Sequence, residues 1–487
     1  MFRIVFVLCL FISVFYTQKA PTLFVRECEQ EEAKYRPIQI KSLSIEVTIL
    51  DTVAETTMRL TFHNSSDSEL EGEFILPLPE GSTISGFALD IQGQMVDGVV
   101  VEKHKARAAF EREKRKKIDP GLVEWIQGNH FRSRIYPIPA QGERCIQVRY
   151  LSTFMPASNT TAYRLPLYFG HLEDFKLKIS VPENKKIPIV QCGDLKLLFK
   201  KQDNANVAEV EQHQRYLGED LTIEIPKSFP NVEVEKDHSK EVYFAIQDTP
   251  EPPKTPSSKV SPKRISLYWD ASFSRKKTSK EKEFELLEAL CKSWNTVVID
   301  VFIFRNQLES PKTAQIQNGS AEHLINYLKE IPYDGGTQFS ALTFPQKRIS
   351  EKDSTVYDFV LLFSDGIQTL GKIEKQSLKL PLYIIASENQ ANSLFLRSLA
   401  ESSEGNYFNL TVQPLQEVVE QVGRCPFAFL GAIYDTSQIT EIYPSGRQNI
   451  SSSFEFTGKL LAEEATLLLQ YGYGSQVTSE KTIQLSQ

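Results

Sequence analysis

The sequence predicts a multidomain chain: a β-rich N-terminal half, a doubly wound α/β domain, and a short β segment at the end. Three observations predict it. Between residues 38 and 250, apolar and polar residues alternate at period two in run after run, as half-buried strands require. From residue 264, near-continuous apolar runs alternate with amphipathic stretches, the pattern of a parallel sheet covered on both faces. Residues 249–263, TPEPPKTPSSKVSPK, have no apolar period and read as a linker.

The elements follow in order. Residues 1–20 carry Arg3 and an apolar run from Ile4 to Phe15, the layout of a secretory leader with a cut near Thr17. The run is short for a membrane span, which needs about 20 apolar residues, and an uncleaved anchor is the alternative. No later stretch is apolar enough to span, so the mature chain is expected to be secreted or held at a cell surface. Residues 38–62 read as two strands, with a turn at His63-Asn64-Ser65-Ser66-Asp67. Residues 102–117, EKHKARAAFEREKRKK, switch to a helix stopped by Asp119-Pro120-Gly121. Strands resume through 160–250 as a small β-sandwich. In the α/β part, RISLYWD, TVVIDVFIF, YDFVLLFSDG and PLYIIAS read as strands. KEKEFELLEALCKSW, SAEHLINYLKEI, SLFLRSLAESS and LQEVVEQV read as helices. Residues 426–487 return to short strands. So small a segment is marginal alone and is expected to pack back on the sandwich.

Composition narrows the function. The chain has 487 residues, 55 Lys+Arg against 62 Asp+Glu, and a net charge of −7. That balance argues against a dedicated nucleic-acid binder. Beyond the leader the cysteines are Cys28, Cys145, Cys192, Cys291 and Cys425, an odd number, and their pairing cannot be read from sequence. N-glycosylation sequons occur at Asn64, Asn159, Asn318, Asn409 and Asn449. The common hydrolase, metalloprotease and nucleotide-loop signatures are absent, so no enzymatic role is expected.

One constellation carries chemistry. In doubly wound folds, ligands bind beyond the carboxyl ends of the strands. Asp270, Ser272 and Ser274 follow RISLYW. Thr337 follows Gly335-Gly336, and Asp365 follows YDFVLLFS. Two carboxylates and three hydroxyls form a hard-oxygen set suited to Mg²⁺ or Mn²⁺. An ion with so few carboxylates stays electrophilic and favours an acidic group from a partner. Two basic runs stand out as well. Residues 103–117 read as a solvated helix face, or as a patch for glycosaminoglycan or another polyanion. Arg275-Lys276-Lys277 reads as a steering cluster for an acidic partner or as a solvated helix entry.

The set Asp270-x-Ser272-x-Ser274, Thr337 in DGGTQ and Asp365 in FSDG resembles the metal-ion-dependent adhesion site of the von Willebrand factor type A domain, over residues 264–425. The resemblance implies Asp270 as an anchoring carboxylate. It implies Ser272, Ser274 and Thr337 as hydroxyl ligands or water holders, and Asp365 as a direct or outer carboxylate. Phe273 stands where that family commonly has Gly, and Gln338 where Asn is common. Glu102-Lys103, Ala106, Phe110-Glu111, DPGLVEW, NHFRSRIYPIPAQGE and VRY resemble the VIT domain of inter-alpha-trypsin inhibitor heavy chains and vault-associated proteins, over 34–155.

The expected organisation is therefore a leader at 1–20, a VIT domain at 34–155, a sandwich-like connector at 156–248, the linker, a type A domain at 264–425 and a β segment at 426–487. The expected function is an exported binding protein of adhesion or matrix type. It would grip a carboxylate on a protein ligand through Mg²⁺. A structural scaffold with a non-essential metal site is the alternative, as is an intracellular accessory of a vault particle or ATPase.

Overall fold

The computed structural model describes every residue except 1–20, 28–34, 51–52, 80, 92, 99–121, 127–129, 154, 157–159, 183–186, 194, 203, 227–231, 254–258, 277, 346–355, 372–377, 389–390 and 451–453. The expected leader, the basic run 103–117 and Lys277 lie outside the described residues. The described chain is rich in strands and divides into two units. Among the described residues, no helix is long and apolar enough to cross a membrane.

The first unit packs a five-stranded sheet on a larger one. Alternation decides which side chains meet. Leu23, Val25, Phe74, Leu76, Phe131 and Ile135 of the smaller sheet share one core with Ile45, Val47, Leu60, Ile146 and Ile179 of the larger. The expected boundary near residue 155 runs through this sheet. The strand Thr160–Pro182 pairs in parallel with Ile40–Leu50, Leu177 opposite Ile45. Residues 163–225 therefore belong with the N-terminal half and form no separate connector. Period-two alternation identifies a strand, but it does not name the strand's neighbour. Asn64 is 1% exposed, and its amide nitrogen donates to Ser68 O and Pro139 O, so it is no accessible glycosylation site.

The second unit contains the α/β domain. Its strands are β1 (Arg264–Asp270), β2 (Val297–Phe304), β3 (Lys312–Ile316), β4 (Val360–Phe363), β5 (Leu382–Ala386) and β6 (Tyr407–Asn409). The sheet order is β3-β2-β1-β4-β5-β6, parallel except for the edge strand β3. The helices are α1 (Glu281–Trp294), α2 (Glu322–Glu330), α3 (Ser393–Glu401) and α4 (Leu415–Gln421). Successive strand residues point to opposite faces. Leu267 and Trp269 share a core with Leu286, Leu290, Leu324 and Val418 of α1, α2 and α4. Tyr268, Leu362 and Ile384 pack on the other face with Leu396 and Ala400 of α3. The polar edge strand β3 escaped the sequence reading because KTAQI carries too little apolar signal.

The same unit holds a second sandwich. Val232–Lys236 and Val242–Asp248 join Phe454–Leu460 and Ile439–Tyr443 in one sheet. Phe427–Tyr434, Glu464–Tyr473 and Gln476–Ser486 form most of the other, and Phe244, Phe429, Phe456 and Tyr471 fill the space between. The C-terminal segment thus completes its sheet with residues 232–248, placed by sequence in the connector. Asp248 clasps the two sheets. It accepts from Tyr471 Oη at 2.7 Å and from Lys481 Nζ at 2.6 Å.

Candidate metal centre

The strand order reverses direction between β1 and β4, which is where doubly wound sheets leave a crevice. Asp270 ends β1, and Asp365 lies two residues past the end of β4. The loop after β1 is pinned from two sides. Ala271 N–H donates to Phe304 O at 3.0 Å, and Phe273 N–H donates to Gly335 O at 3.0 Å. The second bond brings the Gly335-Gly336-Thr337 loop alongside Ser272 and Ser274. A Cβ at Gly336 would stand 2.6 Å from Thr369 Oγ1, the atom that accepts Thr337 N–H at 2.7 Å. Glycine is therefore needed for Thr337 to be held there.

Hydrogen bonds join four of the five sequence-predicted residues, Asp270, Ser272, Ser274 and Asp365, into one group. Ser274 Oγ donates to Asp365 Oδ2 at 2.6 Å and lies 3.0 Å from Ser272 Oγ. Asp270 accepts from Ser272 N–H at 3.0 Å and from Ser364 Oγ at 2.6 Å. Asp365 Oδ1 accepts from Ile367 N–H at 2.9 Å. Asp270, Ser272, Thr337 and Asp365 are buried, while Ser274 is exposed. The group is sealed beneath and reachable at Ser274. Among the described residues, Thr337 is bonded through its backbone, and its buried Oγ1 has no hydrogen-bond partner.

Arg275 corrects one sequence reading. It is neither a steering charge nor a solvated helix entry; it is 0% exposed. Its guanidinium donates to Asp270 O at 2.9 Å, Phe363 O at 3.1 Å and Glu388 Oε1 at 3.1 Å, and it pairs with Glu283. Lys280, also buried, donates to Arg275 O at 2.8 Å and stands 3.7 Å from Glu388. Glu283, Glu388 and Ser364 were missed as well. One signal was available: Glu283 sits on the apolar stripe of α1 with Leu286, Leu287 and Leu290. A charge there needs a buried partner.

Charge bookkeeping then isolates the aspartates. Arg275 and Lys280 face Glu283 and Glu388, two against two. Asp270 and Asp365 are left with no buried side-chain cation of their own among the described residues, although Arg275 lies close enough to favour Asp270's charge. Burial raises the Asp270 pKa against that pull. Burial, reinforced by the charges of Asp270 and Glu388, pushes Asp365 up to about 7. Two buried carboxylates and an unpartnered hydroxyl fit a divalent cation. Among the described residues, no group of three or more His, Cys, Asp or Glu that could hold a metal ion occurs.

A pH dependence follows for the cation-free protein. Asp365 ionises near 3.8 unfolded and near 7 folded, so the folded state holds the extra proton between those values. Asp365's contribution to stability is present below that window and is lost as pH rises through it. Urea midpoints measured in chelator at both ends of the window are expected to show a fall that Asp365→Asn removes. An equal fall in the variant would contradict this assignment.

Comparisons with known proteins agree with the two sequence resemblances. Residues 40–150 match the family model described as the vault protein inter-alpha-trypsin (VIT) domain. The human von Willebrand factor A domain-containing protein 5A is 24% identical over 209 residues, covering 38% of this chain and 25% of that protein. The mouse protein mono-ADP-ribosyltransferase PARP4 is 22% identical over 136 residues, covering 28% of this chain and 7% of the relative. The chain thus spans a quarter or less of these relatives. Among solved structures, von Willebrand factor type A from Catenulispora acidiphila aligns with a TM-score of 0.30 at 11% identity, over 53% of this chain and 74% of that one. The ArnB paralog VWA2 from Sulfolobus acidocaldarius gives 0.28 at 15%, over 53% and 75%. The VIT match and the von Willebrand factor A relatives support a VIT plus von Willebrand factor A protein.

Proposed function

We propose that the chain is an exported binding protein of adhesion or matrix type. In this reading Asp270, Ser272, Ser274, Thr337 and Asp365 hold Mg²⁺ or Mn²⁺, and the ion grips a carboxylate on a protein partner. The carrying observation is the buried aspartate pair, left over after Arg275 and Lys280 are matched by Glu283 and Glu388, beside the unpartnered Thr337 hydroxyl. A divalent ion would neutralise the pair and, with only two carboxylates beside it, would stay electrophilic toward an outside anion. The exposed Ser274 is where that anion would enter. The role is binding, with no catalytic step.

Calorimetric titration of Mg²⁺ and Mn²⁺ into the full chain tests this. One-site binding is expected in the native protein and none in Asp270→Ala, with circular dichroism unchanged. Absence of binding in both proteins would sink the proposal. A scaffold reading is favoured by one observation: Arg275 and the Ser274–Asp365 bond already hold the loop without an ion. Partner capture insensitive to chelator and to Asp365→Ala would decide for it. Recovery of the native chain outside cells would exclude the intracellular alternative.

A further inference from the structure

Three exposed apolar side chains lie on segments hydrogen-bonded to the candidate metal group. Phe273 is 59% exposed, Leu394 49% and Leu370 43%. Single exposed apolar residues are ordinary on a protein surface. These three differ because each is fastened to the candidate metal group. Phe273 N–H donates to Gly335 O at 3.0 Å, two residues before Thr337. Leu370 N–H donates to Thr337 O at 3.1 Å, and its side chain covers Gly336, where a Cβ would meet Leu370 Cδ1 at 2.9 Å. Leu394 follows Asn392, whose N–H donates to Asp365 O at 2.7 Å. Two loops and the first turn of α3 thus carry apolar surface on segments tied to one polar group. The 3₁₀ turn Phe273–Arg275 arranges part of this by burying Arg275 while turning Phe273 outward. Lys276 adds a cation 5.5 Å from the Phe273 ring centroid.

We infer that this rim selects its partner: the site takes a protein segment whose acidic residue is flanked by large apolar side chains. The inference rests on the cation-binding reading above and adds the specificity. The ion supplies the attraction for the carboxylate. Phe273, Leu370 and Leu394 supply contact area for apolar side chains flanking the acid. Aromatic and aliphatic surface around a central polar anchor is where interface energy concentrates.

The test is a displayed peptide library with a fixed central Glu and random flanks, panned on the full chain in Mg²⁺ and in chelator. Apolar flanks are expected to be enriched about tenfold over Ser and Gly, in Mg²⁺ only. A chain carrying Phe273→Ser, Leu370→Ser and Leu394→Ser should still bind Mg²⁺ by calorimetry and still capture Glu peptides, but without flank preference. Undiminished apolar preference in that variant overturns the rim. Enrichment of acidic flanks in the native chain overturns it in favour of a polyanion. Capture that survives chelator and Asp270→Ala overturns the cation reading itself, and the inference with it. The first two outcomes leave the cation reading standing, so the two failures are told apart.

Discussion

Arg275→Met is expected to destabilise the α/β domain by about 3–5 kcal/mol, the usual cost of removing one partner from a buried ion cluster. Methionine approximates the length of the arginine stem but leaves Glu283 and Glu388 facing each other with Lys280 as the one remaining buried cation among the described residues. It also strips hydrogen bonds from Asp270 O and Phe363 O, which tie the metal loop to the ends of β1 and β4. Burial raises the Glu283 pKa, and Arg275 is the main influence opposing that rise. Without Arg275, Glu283 should take up a proton. Glu283→Gln in the Arg275→Met background should therefore recover part of the loss, because it removes the charge and keeps an acceptor for Ser387 Oγ. Urea unfolding of the full chain, followed by tryptophan fluorescence, reads the result. Trp269 is a suitable reporter because its ring lies 5.4 Å from the Arg275 guanidinium. A loss below about 1 kcal/mol would show that the cluster is worth no more than a surface pair.

Gly366→Ala is the second large effect, expected to cost about 2–5 kcal/mol and to weaken cation binding. Gly366 has φ of +70°, and a Cβ there would stand 2.7 Å from Leu396 Cγ. A left-handed conformation costs an L-residue about 1–2 kcal/mol. Overpacking adds about 1–3 kcal/mol. The effect reaches the site because Gly366 N–H donates to Ser364 Oγ, which in turn donates to Asp270 Oδ2. Moving Gly366 disturbs both aspartates at once. Gly431→Ala is the control: nothing lies within 4 Å of its added Cβ, and a change within about 0.5 kcal/mol is expected. Equal losses at the two positions would refute the steric argument.

The α/β domain was legible in the sequence because its elements are local. Each strand between two helices is an unbroken apolar run, and α1 shows its stripe within four turns. The five candidate residues could be named from sequence because short oxygen-bearing motifs fall at two strand ends and in one glycine-rich loop. What lay underneath was not. Three consecutive basic residues, Arg275 to Lys277, read as solvated from composition, but a 3₁₀ turn starting at Phe273 changes the face at each position and carries Arg275 inward. Glu388 meets it from more than a hundred residues away. The grouping of strands was hidden for the same reason. Alternation in 242–248 marks a half-buried strand, but it cannot say that the partner is 454–460.

That pairing has a consequence for how the protein is made. The strand Val242–Asp248 leaves the ribosome about two hundred residues before Phe454–Leu460, to which it is hydrogen-bonded in the finished sheet. At the usual pace of synthesis the delay is roughly ten to forty seconds. The α/β domain, whose β1, β2 and α1 are sequence neighbours, can be complete before the final strands emerge. The sandwich then closes last, around a domain already formed, and until it does the apolar face of Val242, Phe244 and Ile246 is open to other chains.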